Sequence, residues 1–357
     1  MKKHNFSAGP SILPQEVFEK ASKAIIDFNN SGLSILEISH RSKDFVAVME
    51  EARSLALELL GLKGKGYQAV FLAGGASLEF ARVPYNLLKQ GGKAAYLDTG
   101  TWAAGAIKEA KLFGTTEVVA SSKPDNYNYI PKDYTIPADA DYFHCTSNNT
   151  IFGTQMQEFP QTTVPIVCDM SSDIFSRELD FSKFGIIYAG AQKNMGPAGA
   201  TLVVIKEDIL GKSGRTIPSI LDYKQHIDKE SMYNTPPVFA VYTSLLTLQW
   251  IKNNGGVAAM EKKNNEKAAL LYNEIDRNPL FTGTAKTEDR SKMNVTFLLK
   301  DESHTELFDK LWKAAGISGL NGHRSVGGYR ASIYNAMPLE SVQILVNTMQ
   351  QLENSVK

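Results

Sequence analysis

Apolar positions along the chain recur with two periods, and the switching between them predicts the elements. Val17, Phe18, Ala21, Ala24, Ile25 and Phe28 keep helical spacing, so a helix is predicted from near Pro14 to about Asn29. A second is predicted from Lys43 to Leu60, with Gly61 as its stop. Tyr67 to Leu72 reads as a strand, and Gly74-Gly75-Ala76-Ser77 turns from it into a helical stretch beginning near Leu78. The alternation continues with Lys93–Asp98 as strand, Trp102–Phe113 as helix and Thr116–Ala120 as strand. A loop over Ser121–Asp139 and a strand at Asp141–Cys145 follow. Two short apolar runs bounded by turn residues come next, Pro165–Cys168 ending on Asp169 and Gly185–Ala189 leading to Gln192-Lys193-Asn194, and then a strand at Ala200–Ile205. Strands alternating with helices predict crossover units and a mostly parallel sheet.

The pattern changes after Met232–Pro237. A helix from about Phe239 to Lys252 runs into Asn254-Gly255-Gly256, where a domain boundary is placed. Beyond it come a long charged helix, a strand at Met293–Leu299, a helix at Glu306–Ala315 and a closing helix from Leu339. The fold expected is α/β: a large domain, residues 14–254, with a mostly parallel sheet flanked by helices, and a smaller α+β domain, residues 255–357. Residues 1–13 join them as an N-terminal segment. A chain of 357 residues, 43% hydrophobic, is large enough for two such cores.

Lys+Arg and Asp+Glu are both 38, so no net field attracts nucleic acid or an anionic membrane, and any basic site must be local. Cys145 and Cys168 both sit in strand-like runs and read as small buried hydrophobes in a reduced compartment. The first residues, MKKHNFSAGPSILP, have no apolar segment behind their lysines, and Val238–Ile251 is broken by Thr243, Ser244, Thr247 and Gln249. The expectation is a cytoplasmic protein without a signal or a membrane span.

Asp169 at one strand end and Lys193 just past another stand where open α/β sheets bind ligands. A lysine amine able to form a Schiff base, with an acid to keep a pyridine nitrogen protonated, is the pair that pyridoxal phosphate requires. The strand–glycine–helix turn at Gly74–Ser77 reads either as a phosphate cradle or as an ordinary tight turn. Gly64-Lys65-Gly66 precedes a strand instead of following it, and is not a dinucleotide fingerprint. Trp102 by itself reads as core, and Thr146–Thr150 as a polar cluster or a loop. Arg41, Arg324 and Arg330 lie in turn or glycine-rich contexts, two of them beside His40 and His323, and the guanidinium fork suits carboxylate and phosphate. No histidine has metal-ligand spacing, so no metal is expected.

Cys168-Asp169-Met170-Ser171-Ser172 and Ala189-Gly190-Ala191-Gln192-Lys193-Asn194 together resemble the cofactor core of the class-V aminotransferases of the aspartate-aminotransferase fold, fold type I. Asn5–Pro10, Glu37–Ser42 and above all GHRSVGGYRASIYNAMPL, from Gly322, narrow the resemblance to the phosphoserine-aminotransferase branch, over almost the entire chain. The resemblance implies a homodimer with its active site at the subunit interface. It implies Lys193 as Schiff-base lysine and proton carrier, Asp169 at the pyridinium nitrogen, Trp102 stacked on the ring and Thr150 near the ring hydroxyl. Ala76, Ser77 and Gln192, with Asn234 and Thr235 of the partner subunit, would hold the cofactor phosphate. Arg330 would take the substrate α-carboxylate, and His40, Arg41, His323 and Arg324 its phosphate. Many bacterial members carry Gly-Arg where this chain has Ala76-Ser77, so one charged phosphate contact is missing here. The implied reaction moves the amino group of L-glutamate to 3-phosphohydroxypyruvate, a small phosphorylated 2-oxo acid, in serine and, for some members, pyridoxine biosynthesis. A class-V transaminase for uncharged acceptors such as glyoxylate or pyruvate is the alternative, and has no use for the second basic cluster.

Overall fold

The structure, a computed structural model, describes residues 3–356; residues 1, 2 and 357, the outermost positions of the predicted segments, lie outside them. Its centre is a seven-stranded sheet in the order Tyr67–Leu72, Thr201–Lys206, Phe184–Gly190, Ile166–Asp169, Tyr142–Thr146, Lys93–Asp98, Thr115–Ser121. The last five run parallel to one another, while Thr201–Lys206 is antiparallel to both of its neighbours. The reversal follows from chain length. The short link between Gly190 and Thr201 leaves no room for the dozen or more residues of a parallel crossover, so the strand returns beside its predecessor.

Both faces of this sheet are covered, which is why its strands read as continuous apolar runs. Phe71, Phe143, Cys145, Ile187 and Leu202 belong to a core shared with the helices Lys43–Leu59 and Val238–Asn253. On the other face Val70, Tyr96, Tyr142, Tyr188 and Val203 meet the helices Gly75–Leu87 and Thr101–Ala110. Alternate side chains of one strand thereby feed opposite cores.

A second, antiparallel sheet, ordered Phe281–Gly283, Asn294–Leu299, Tyr329–Ser332, shares its own core with the helices Gly256–Arg277, Thr305–Ala314 and Leu339–Val356. Phe6 joins that core, and His4–Asn5 pairs in parallel with Ile317–Ser318, so the start of the chain packs with its last third.

Two local departures from the sequence reading concern the site. The helix after the glycine turn begins at Gly75, earlier than Leu78, because Gly74 adopts φ +113°, where a β-carbon would collide with Leu78. Tyr329–Ser332 is a strand, hidden in the sequence by the glycines before it and the arginine within it. Among the described residues no helix is long and apolar enough to cross a membrane.

Candidate active site

The site lies at the carboxyl ends of the central strands, where consecutive parallel strands stop and their side chains turn out toward one crevice. Asp169 is the last residue of its strand, registered between Thr146 and Tyr188 and almost fully buried. Its Oδ1 accepts the Ser171 backbone N–H at 2.9 Å. Burial raises the pKa of this carboxyl, against the opposing pull of the Lys193 charge and of Ser171.

Lys193 follows the exit of the neighbouring strand, Phe184–Gly190. Its Nζ donates to Thr150 Oγ1 at 2.8 Å and lies 5.6 Å from the centre of the Trp102 ring. Burial pulls its pKa down to about 8; Asp169 opposes this and the Arg330 charge adds to it. An amine held this far below the ordinary lysine range is neutral in a usable fraction near pH 8, as a nucleophile or proton carrier must be. The N-terminal segment fixes its backbone: Ser11 N donates to Gln192 O at 3.0 Å and Ser11 Oγ donates to Lys193 O. Gly9 makes that approach possible, since a β-carbon there would stand 3.3 Å from Lys193 Cγ.

Arg330 comes from the second sheet. One guanidinium N–H reaches Thr150 O at 3.5 Å, its buried Nε has no partner, and burial lowers its pKa. Thr150 therefore stands between the amine and the guanidinium, its hydroxyl on one and its carbonyl toward the other. His323 and Arg324 are electrostatically within reach of Arg330: partial burial lowers the His323 pKa, and the two arginine charges lower it further. Arg324 itself is exposed. Ala76 and Ser77 lie in the first turn of Gly75–Leu87, a helix start with no side-chain cap, so its backbone N–H groups are open to an anion.

Lys193, Asp169, Thr150, Trp102, Arg330, His323 and Arg324 are thus brought together in one chain. Gln192, half-buried, adjoins them through the chain. Among the described residues no hydrogen bond or ion pair joins His40, Arg41, Asn234 or Thr235 to Lys193, Asp169 or Arg330. His40 has a buried Nε2 without a partner, and Arg41, Asn234 and Thr235 are exposed. Sequence reasoning gave no role to Ser11, which holds the lysine's backbone, to Gly9, which lets that segment approach, or to Ser171, which holds the carboxylate, although Gly9 and Ser171 lie in the motifs that carry the resemblance. It also treated Thr146–Thr150 as open to either reading, whereas all five residues are buried. Cys145 and Cys168 are buried free thiols on registered neighbours. No group of three or more metal-ligating residues is found among the described residues.

A buried amine beside an aromatic face, a carboxylate set deep in the crevice and an uncapped helix start suit an aromatic aldehyde that carries a ring nitrogen and a phosphate, which is the chemistry of pyridoxal phosphate. The family model for class-V aminotransferases matches residues 3–345. A curated relative, the phosphoserine aminotransferase of Flavobacterium johnsoniae, is 80% identical over 356 residues, spanning 100% of both chains. Of the solved structures, the phosphoserine aminotransferase of Bacillus circulans subsp. alkalophilus is 45% identical with a TM-score of 0.96, over 100% of this chain and 99% of that one. The PLP-bound phosphoserine aminotransferase of Trichomonas vaginalis is 38% identical with a TM-score of 0.93, over 98% of this chain and 100% of that one.

Proposed function

The chain belongs to the class-V aminotransferase family, and from that membership we propose that it is a pyridoxal-phosphate-dependent transaminase exchanging the amino group between L-glutamate and 3-phosphohydroxypyruvate. The products are 2-oxoglutarate and O-phospho-L-serine, so the enzyme serves serine biosynthesis. The observation that carries the reading is the placing of Lys193, whose amine meets Thr150 while Thr150's carbonyl meets Arg330. A reactive amine and a carboxylate-binding fork face the same small space.

Bound pyridoxal phosphate supplies the carbonyl that accepts the amino group and a ring that withdraws electrons from the substrate's α-carbon. Lys193 then carries a proton to and from that α-carbon, its amine held by Thr150 and kept partly neutral by burial. Asp169 would hold a proton at the ring nitrogen, and its burial would keep water from that contact. Trp102, whose ring lies 5.6 Å from the Lys193 amine, would cover the ring face. Gln192 and the first-turn N–H groups of Ala76 and Ser77 bind the cofactor phosphate by hydrogen bonds without adding charge. Arg330 orients the α-carboxylate of either substrate, and its unpartnered Nε is a donor in waiting. His323 and Arg324 receive the substrate phosphate at the mouth.

Among the described residues no hydrogen bond or ion pair ties His40, Arg41, Asn234 or Thr235 to this centre within one chain, which supports a homodimer in which they complete the partner's site. Ile26, Leu33 and Leu36, in the stretch of chain that leads to His40, expose 82%, 48% and 61% of their surface, apolar area that a second copy would cover. The two core clusters support two units bridged by the N-terminal segment, although Val257 and Met260, past the 254/255 boundary, pack in the larger core. A free-thiol pair and these substrates fit the cytoplasm.

The test is a half-reaction: protein loaded with pyridoxal phosphate, mixed with O-phosphoserine or with serine, while the cofactor absorbance is followed. Conversion to the amine form by phosphoserine at far lower concentration than by serine is expected. Equal response would leave the cofactor and remove the phosphorylated substrate in favour of an uncharged acceptor.

A further inference from the structure

A network of buried amides behind the lysine has no part in the chemistry above. Asn194, which follows Lys193, is buried; its Nδ2 donates to Ile174 O at 2.6 Å and its Oδ1 accepts the backbone N–H of Asn335 at 2.9 Å. Asn335 lies five residues beyond Arg330 on the chain leaving that strand. Its own Nδ2 donates to Phe175 O at 2.9 Å and its Oδ1 accepts Asn264 Nδ2 at 2.7 Å. Asn264, from the helix Gly256–Arg277, also reaches Ser176 O at 2.9 Å. One turn along that helix, buried Lys267 donates to Ile333 O at 2.9 Å and Tyr334 O at 2.6 Å. Phe175, whose carbonyl takes part, holds φ +58°, a left-handed conformation rare for a bulky side chain and kept only where the surroundings over-determine it.

Asn335 joins the segment leaving Arg330 directly to Asn194 and to Phe175 in the turn after Asp169, while Asn264 and Lys267 tie that turn and that segment to the helix Gly256–Arg277. Buried amides left unpaired are costly, so such a network resists sliding of one sheet against the other. Resting on the transaminase reading above, we propose that Asn194 and Asn335 are positioning residues. They lock the lysine and the carboxylate-binding arginine into one frame, so that the spacing between amine and guanidinium is preset in the ligand-free protein instead of being reached by rotation of the small domain. The frame leaves the phosphate-binding stretch from Gly322 to Gly328 outside it. Loss of the frame therefore affects both substrates through their common α-carboxylate and leaves the preference for a phosphorylated side chain unchanged.

The test compares Asn194→Ala and the milder Asn264→Ala with Leu352→Ala, a cavity variant buried in the C-terminal core away from this network. In the apoprotein, Asn194→Ala is expected to raise hydrogen exchange in the 191–196 and 329–335 segments together. In the holoenzyme it is expected to raise KM for glutamate and phosphoserine in parallel by about tenfold, with the phosphoserine-to-serine ratio unchanged. Asn264→Ala, which leaves the Asn194–Asn335 bond in place, shows the same pattern on a smaller scale. Leu352→Ala, at a similar loss of Tm, shows neither. The proposal is overturned if exchange rises in the 191–196 segment alone, or if all three variants lose activity in simple proportion to Tm. Failure of the wild-type holoenzyme to transaminate glutamate would instead overturn the functional reading, and the apoprotein exchange would still decide the frame.

Discussion

The centre around Lys193 and the two His-Arg pairs use basic side chains in opposite ways. At the centre, the cations are half-buried and pushed down in pKa: Lys193 to about 8, and Arg330 below its ordinary range. The protein holds them there with backbone and amide contacts, before any ligand is present. In the His-Arg pairs, Arg41 and Arg324 keep their guanidinium groups exposed, and His40 and His323 are only partly covered. Burial makes a lysine reactive and an arginine directional, at a cost in solvation; exposure leaves a cation cheap to maintain, screened by salt, and suited to collecting a phosphate. On the proposed reading, chemistry is built in and selectivity is presented at the surface.

The comparison breaks most visibly at the lysine. Lys193→Ala is expected to lower turnover by at least about 10⁴-fold, as for a residue acting with the rest of a catalytic unit, with the melting temperature near that of wild type. Retained turnover, measured by coupled assay, would move the reactive amine elsewhere. Next comes Arg330→Ala, which removes a half-buried fork from both substrates and is expected to cost about 2–5 kcal/mol in kcat/KM for glutamate and phosphoserine alike. A loss confined to one of them would contradict a shared α-carboxylate site.

Arg324→Ala sharpens the other half. Being exposed, it is expected to cost only about 1 kcal/mol, to affect phosphoserine and not glutamate, and to cost less as salt is raised. An equal effect on glutamate would bring Arg324 into the centre. The smallest effect is in pH. Burial disfavours the ammonium form of Lys193, so the amine is protonated below about pH 8 and neutral above it. Capture of pyridoxal phosphate by the apoprotein is therefore expected to quicken with pH and level off above about pH 8. A rise continuing toward pH 10 would mean that the amine keeps the ordinary lysine range.

Much of this was legible in the chain alone. Apolar runs buried on both faces announce the central strands, and Tyr67–Leu72 and Lys93–Asp98 are found where they were predicted. Asp169 and Lys193 stand at strand exits because local turns and burial put them there, and a resemblance among short motifs supplied their chemical meaning. The strand that carries Arg330 was not legible: its neighbours are glycines, and its partner, Asn294–Leu299, lies about thirty residues away, so only tertiary pairing makes it a strand. The supports of Lys193 were hidden for the same reason. Ser11 is 182 positions from Lys193, and Asn194 is 141 from Asn335. Hydrogen bonds between backbone atoms and small amides leave no periodic trace, because they depend on where the chain returns and not on which residues adjoin. The sequence by itself therefore determined the elements, the cofactor pair and the kinds of side chain at the mouth. Only the tertiary structure decided the reversed strand, the depth at which the lysine is buried and the frame that sets it against Arg330, since each rests on contacts between distant segments that local patterning does not encode.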